Sequence, residues 1–327
     1  MAGIAHHPNV GACILVGLGC ETNQVNDLLN HLNAIPAGDA ALQTIPTLVI
    51  QDQGGVRKTV QAGVAAVNAV LPMVNAAQRT PESIGELVLA LQCGGSDGWS
   101  GVTANPVLGL VSDEVVRHGG TTVLAETPEV YGAEHLLIRR AVSSEVAEKL
   151  MHQIRWWEQH TQRLGIEIDN NPSPGNKAGG LTTIYEKSLG AVAKGGSLPL
   201  AAVYDYAEPV TARGFTFMDT PGYDPVSVTG QVAGGCNLVL FTTGRGSCFG
   251  FKPTPSIKIA THSPMYNHMH EDMDLNAGRV LEGDSLESVA AELLNLVIAV
   301  ASGQPSKSEA QGIGEAEFNP WSVGGTL

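Results

Sequence analysis

The chain has 327 residues, 43% of them hydrophobic and 5% aromatic, with 39 glycines and a formal net charge of −14 at neutral pH. That much aliphatic side chain supports a sizeable core and excludes a disordered polypeptide. The acidic balance argues against nucleic acid or an anionic membrane as a partner. Five scattered cysteines, no leader-like start and no apolar run of membrane-spanning length point to a reduced, cytoplasmic protein without a disulfide framework.

In chain order, apolar Val10–Val16 predicts a strand, followed by the polar turn Gly17-Leu18-Gly19-Cys20-Glu21-Thr22-Asn23-Gln24. A helix over about 24–32, a strand at Thr47–Ile50 and a helix over about 56–70 follow. Pro72 is expected to end that helix, and residues 76–82 read as a linker. A second segment opens with the strand Leu87–Leu91. A helix over about 106–118 and a strand at Thr121–Ala125 complete a βαβ unit, whose crossover predicts parallel strands. The clearest helix is Ser144–Leu164, capped by Ser143 or Ser144 and stopped by Gly165. The glycine- and proline-rich run Asp169–Gly180 is too polar for core. Strands are expected at Phe215–Met218, Leu238–Thr242 and Ile257–Ala260, and a closing helix over about 285–301. These elements predict an α/β protein with Rossmann-like, mostly parallel sheets in two domains, residues 1–83 and 84–327.

Two strand ends carry unusual turns. Leu87–Leu91 runs into Gln92-Cys93-Gly94-Gly95-Ser96-Asp97-Gly98, and Val10–Val16 runs into the turn bearing Cys20 and Glu21. In open α/β sheets ligands bind beyond the carboxyl ends of strands. A thiol and a carboxylate at each of two such ends point to a metal-assisted site. Cys13, inside an apolar run, reads as a small buried hydrophobe. No Gly-Lys-Ser/Thr ending marks a nucleotide loop, and Gly17-Leu18-Gly19 lacks the third glycine of a dinucleotide fingerprint. Glu126 and Glu129 follow a strand and read as ligands or acids, or more plainly as helix capping.

Several strings together resemble one family. They are His7-Pro8-Asn9-Val10, Gly17-Leu18-Gly19-Cys20-Glu21, Gln92-Cys93-Gly94-Gly95-Ser96-Asp97-Gly98 and Glu126-Thr127-Pro128-Glu129-Val130-Tyr131-Gly132-Ala133-Glu134-His135. Asn170-Asn171-Pro172-Ser173-Pro174-Gly175-Asn176-Lys177-Ala178-Gly179-Gly180, Asp219-Thr220-Pro221-Gly222-Tyr223-Asp224-Pro225 and Thr243-Gly244-Arg245-Gly246-Ser247 complete the set. The chain is similar to the altronate/galactarate dehydratases, which are sugar-acid hydro-lyases. The resemblance covers a trimmed second domain and the complete C-terminal domain. Full-length members add a small N-terminal domain and a Gly-Cys-Gly stretch ahead of the point matching Met1. The resemblance therefore implies a fragment, or a large subunit whose small partner is a separate chain, within a homo-oligomer.

The implied reaction takes the proton α to a carboxylate, expels the β-hydroxyl and yields a 2-keto-3-deoxy acid. A divalent metal, Fe(II) with Mn or Mg as alternatives, is implied to stabilise the enediolate, and a general acid to assist the leaving group. The ligands expected are Cys20, Glu21, Cys93 and Asp97; an iron–sulfur cluster is a further option. Base and acid are sought among Lys177, Lys187, Lys252, Lys258 and His262. Lys177 is favoured because partial desolvation in its glycine-rich loop would lower its pKa, and His262 is favoured as the acid. Arg245 is expected to clamp a substrate carboxylate, with Asn176, Ser96, Gly244 and Gly246 also at the substrate. A large subunit of a sulfolactate sulfo-lyase, which resembles the same family, is the alternative activity. A non-catalytic binding subunit is the alternative of another class.

Overall fold

A computed structural model describes residues 1–34, 45–168 and 171–323. Residues 169 and 170 of the expected glycine- and proline-rich run lie outside it. The chain divides into two compact units, residues 1–81 and 82–327.

In the first unit, β1 (Leu15–Gly17) pairs in parallel with β2 (Thr47–Val49), with the helix Val25–Ala34 between them in sequence. The strand expected over Val10–Val16 is shorter and shifted. The helix Val56–Asn75 also runs past Pro72 rather than ending there. Pro72 lies in the last turn, so the one lost N–H bond is not enough to stop the helix one residue earlier.

The second unit is built on seven parallel strands. They are β3 (Val88–Cys93), β4 (Thr121–Leu124), β5 (Leu200–Tyr204), β6 (Gly214–Met218), β7 (Leu238–Thr243), β8 (Ser256–Ala260) and β9 (Leu275–Asn276). Their order is β5-β6-β4-β3-β7-β8-β9. Every residue of β4, β7 and β8 is buried, as expected of a parallel sheet covered on both faces. Leu91, Leu108, Leu150, Ile154, Phe215 and Leu293 contribute to one continuous core. The helix Ser144–Leu164 begins where Ser143 Oγ accepts the Val146 N–H and ends at Gly165 in the left-handed region. It turns Leu150, Ile154 and Trp157 inward. No helix of the described residues is long and apolar enough to cross a membrane.

The order positions the site. From central β3 the chain passes to β4 on one flank, and it reaches the other flank only with β7. All carboxyl ends point the same way, and the crevice of such a sheet lies where the winding reverses, between β3 and β7.

Candidate functional site

β3 delivers Cys93 at its last residue, and the loop after β4 delivers Glu126 and Glu129. Glu126 has φ +68°, a conformation rare for a residue with a side chain, and is fully buried. Its backbone N–H donates to Thr220 Oγ1 (2.9 Å), which helps to hold that turn. Two lysines from a later segment reach in. Lys194 Nζ lies 2.9 Å from Cys93 Sγ and 2.8 Å from Glu126 Oε2, and its side chain is wholly inaccessible. Lys187, on the helix Ile184–Val192, donates to Glu129 Oε1 (2.7 Å) and to Asn171 Oδ1 (2.8 Å). The Cys93 thiol donates to Glu129 Oε2 (3.4 Å).

The electrostatics follow from burial. Desolvation, reinforced by Glu126, pushes the Cys93 thiol well above its usual range, so it is neutral in this arrangement. Desolvation and then Glu129 push the Glu126 carboxyl up to about 8. Burial works against the Lys194 ammonium, but the Cys93 sulfur that accepts its N–H and the Glu126 carboxylate outweigh it and hold the group charged. The same balance, with Glu129 the leading partner, holds Lys187 charged. Nearby, burial and Glu129 push Asp224 up to about 7, while Gln92 Nε2 donates to it (3.3 Å).

Cys93, Glu126 and Glu129 each offer one ligand atom, all within 4.8 Å of one another, and form the one such group among the described residues. Glu126 Oε1 is buried without a hydrogen-bond partner, an orphaned acceptor that a cation would satisfy. One sulfur and two carboxylates fit a divalent transition ion of borderline softness. Binding one would require Cys93 to lose its proton. The group holds a single cysteine.

Beside it is a cavity of about 420 Å3, lined in part by Cys93, Ser96, Asp97, Glu186 and Lys187. Asp97 is held from four sides. Its carboxylate accepts from the Trp99 N–H (3.1 Å), Ser100 Oγ (3.0 Å) and Thr261 Oγ1 (3.0 Å), and His262 Nε2 lies 3.5 Å away. An added Cβ at Gly244 would overlap this carboxylate, so only glycine fits there. His262 Nδ1 accepts the Met265 N–H (3.2 Å), which places the ring proton on Nε2, toward Asp97. Ser96 Oγ is buried without a partner.

The residues singled out in the sequence are distributed unevenly. Ser96, Asp97, Asn176, Gly244, Arg245 and His262 come together. Asn176 Nδ2 donates to the Ser96 carbonyl (2.8 Å), and the Gly244 and Arg245 N–H groups donate to the Gly95 carbonyl (3.1 and 2.8 Å). The Arg245 side chain is exposed, and Gly246 donates its N–H to Thr243 Oγ1 (3.1 Å). Lys177 is exposed on the short helix Pro174–Ala178, so the partial desolvation expected of it is not found. Lys252 is also exposed, and is paired with Glu315 (2.8 Å). Of the four expected metal ligands, only Cys93 belongs to the Cys93/Glu126/Glu129 group. Asp97 is engaged as above. Cys20 and Glu21 belong to the first unit, where Cys20 Sγ accepts from Gln51 Nε2 (3.3 Å) and backbone N–H groups of the turn hold the exposed Glu21 carboxylate below its usual range. Lys194 was missed. Its one sequence signal is a lysine ahead of Gly195-Gly196.

Comparisons with known proteins place the chain in a family. A family model described as D-galactarate/altronate dehydratase, C-terminal, matches residues 84–326. One described as D-galactarate dehydratase/altronate hydrolase, second domain, matches residues 1–75. The chain is 40% identical over 300 residues to altronate dehydratase of Bacillus subtilis, covering 91% of this chain and 58% of the relative. It is 38% identical over 322 residues to galactarate dehydratase (L-threo-forming) of Escherichia coli, covering 97% and 62%. It is 29% identical over 322 residues to (2R)-sulfolactate sulfo-lyase subunit beta of Chromohalobacter salexigens, covering 97% and 80%. The chain thus spans about three fifths of the length of the dehydratases it matches.

Proposed function

Because the chain belongs to the D-galactarate/altronate dehydratase family, we propose that it is a hydro-lyase, or the large part of one, that dehydrates a sugar acid to a 2-keto-3-deoxy acid. The observation that carries this reading is the buried Cys93, Glu126, Glu129, Lys187 and Lys194 group beside a cavity at the carboxyl ends of parallel strands. Perturbed ionisable groups in a cleft are what proton chemistry requires.

The roles follow from position. Lys187 donates two of its three N–H groups to Glu129 and Asn171, and the third is left for a substrate carboxylate. Its fixed positive charge, nearly inaccessible to solvent, holds that carboxylate in place and stabilises negative charge on it. His262, whose Nδ1 accepts the Met265 N–H, directs its single ring proton on Nε2 to Asp97 and so positions that carboxylate at the cavity wall. Cys93, Glu126 and Glu129 would hold a divalent ion, with Fe(II) our choice. Such an ion supplies Lewis-acid stabilisation worth several kcal/mol. Lys194 neutralises the carboxylate at the back of this group. Ser96 and Asn176 shape the adjoining wall. Arg245, exposed beside Asp97, is placed to meet an anionic substrate as it approaches.

The test is an anaerobic assay with Fe(II), for this chain alone and with the small N-terminal domain of a relative supplied separately. Altronate, galactarate and 3-sulfolactate are the substrates, and keto acid and sulfite are read. Keto acid from a sugar acid is the expected result. Sulfite from 3-sulfolactate alone would transfer the chain to the sulfo-lyase reading, and no product under any condition would refute both.

A further inference from the structure

Resting on the sugar-acid reading, we propose that the cavity selects acids with a single carboxylate, aldonates, over the dicarboxylate aldarates of the same carbon skeleton. Among its lining residues the one cation is Lys187, and two are carboxylates, Asp97 and Glu186. Lys187 is nearly inaccessible and is paired with Glu129, so the substrate's reacting carboxylate belongs at that end. The rest of the wall is suited to hydroxyls. Ser96 Oγ is 3% exposed at the residue level and has no partner, so it is free to donate to or accept from a substrate hydroxyl. Glu186 is anchored by the Thr182 N–H (2.8 Å) and Thr182 Oγ1 (2.5 Å), both to Oε2. Its other oxygen is left to accept from a sugar hydroxyl.

A terminal CH2OH can donate to such acceptors, whereas a terminal carboxylate cannot. It would meet Glu186 as a like charge, with the one lining cation, Lys187, already taken by the reacting carboxylate. Like charges brought together in a partly desolvated site are strongly disfavoured, and this is how a site rejects a near-isostere. Asp97 is committed to Thr261, Ser100 and His262. Glu186, at the exposed side of the cavity, is therefore the specificity-determining residue.

Two substrate pairs isolate the terminal group, because the members of each share every hydroxyl configuration. They are altronate with altrarate, and galactonate with galactarate. Binding to the full chain, measured by isothermal titration calorimetry with Fe(II) under anaerobic conditions, is expected to favour the aldonate of at least one pair by tenfold or more. Glu186→Gln keeps an acceptor for Thr182 and removes the charge. It is expected to raise the aldarate-to-aldonate affinity ratio at least tenfold. Equal binding within both pairs, or tighter aldarate binding, overturns the inference. An unchanged ratio in Glu186→Gln overturns the role of that residue. If none of the four acids binds, the sugar-acid reading fails and this inference fails with it, an outcome distinct from binding without discrimination.

Discussion

Replacing Lys194 with methionine tests the charge balance of the site without touching its shape. The Lys194 side chain has no solvent exposure, and its ammonium lies 2.8 Å from Glu126 Oε2 and 2.9 Å from Cys93 Sγ. Methionine fills much of the same volume, so the loss is mainly electrostatic. Above about pH 8, where Glu126 is ionised, two ammonium groups, Lys187 and Lys194, face the carboxylates of Glu126 and Glu129. Lys194→Met leaves Glu126 buried beside Glu129 without its partner. Removing one member of a buried pair costs about 3–5 kcal/mol when the other must remain charged. Glu126 has an escape, since burial already pushes its carboxyl up to about 8 and losing the lysine pushes it higher. It therefore takes up a proton below that range, and the full cost appears only at more alkaline pH. Holding that proton at pH 9, about one unit above the native value, costs about 1.4 kcal/mol; for a unit of this size each kcal/mol shifts Tm by about 2–4 °C, so a fall of roughly 3–6 °C is expected at pH 9. A clearly smaller fall is expected at pH 6. The assay is thermal unfolding followed by circular dichroism, on protein treated with chelator. Lys194→Met combined with Glu126→Gln removes both charges and should recover most of the loss at pH 9. A single variant with wild-type Tm at pH 9, or a double variant no more stable than the single, would refute the reasoning.

Other perturbations probe separate parts of the site. Lys187→Met should lower kcat by roughly 100-fold or more, the scale for losing one preorganised electrostatic contact; steady-state kinetics checks it, and a change confined to KM would leave Lys187 with ground-state binding alone. His262→Asn should lower kcat by loosening the Asp97 carboxylate it faces, as read by steady-state kinetics, and wild-type kinetics would take the ring out of the site. Cys93→Ser should weaken Fe(II) binding at least tenfold in anaerobic equilibrium dialysis, and wild-type affinity for Fe(II) should rise with pH because the thiol gives up its proton on binding. Asp224 has a folded-state pKa of about 7 against 3.8 for the ordinary side chain. The folded state thus holds an extra proton between those values, and stability falls as pH rises from about 4 to 7, by roughly 2–4 kcal/mol. Asp224→Asn should flatten that part of the urea-unfolding curve against pH, and a slope equal to wild type would discount the group.

The second unit's framework was legible where the sequence carries strong local signals. β3, β4, β7 and β8 are short aliphatic runs bounded by glycine or polar turns, and Ser144–Leu164 has its own cap and its own stop. β5 was not anticipated. Its Leu-Ala-Ala-Val-Tyr has weak strand propensity and follows Pro199, and only pairing with β6 makes it a strand. The helix Asp224–Ala233 was hidden by Pro225, Gly230 and five β-branched or hydroxyl residues. In the site, the turn after β3 could be read because a thiol and a carboxylate stand beside glycines. Glu126 and Glu129 were legible as candidates, but capping accounted for them equally well. What joins them to Cys93 is strand adjacency, which no local pattern encodes. Lys194 reaches Cys93 across about 100 positions of sequence, a long-range contact that makes an otherwise ordinary lysine part of the site.

The central position of β3 also has a kinetic consequence. One of its edges is satisfied early by β4, but the other waits for β7, about 150 residues later. At a synthesis rate of about 5–20 residues per second, that edge and its flanking leucines stay unpaired for roughly 7–30 seconds on the ribosome. During that interval the nascent chain presents an open strand edge to its neighbours, so yield in the cell should depend on translation speed and chaperone supply.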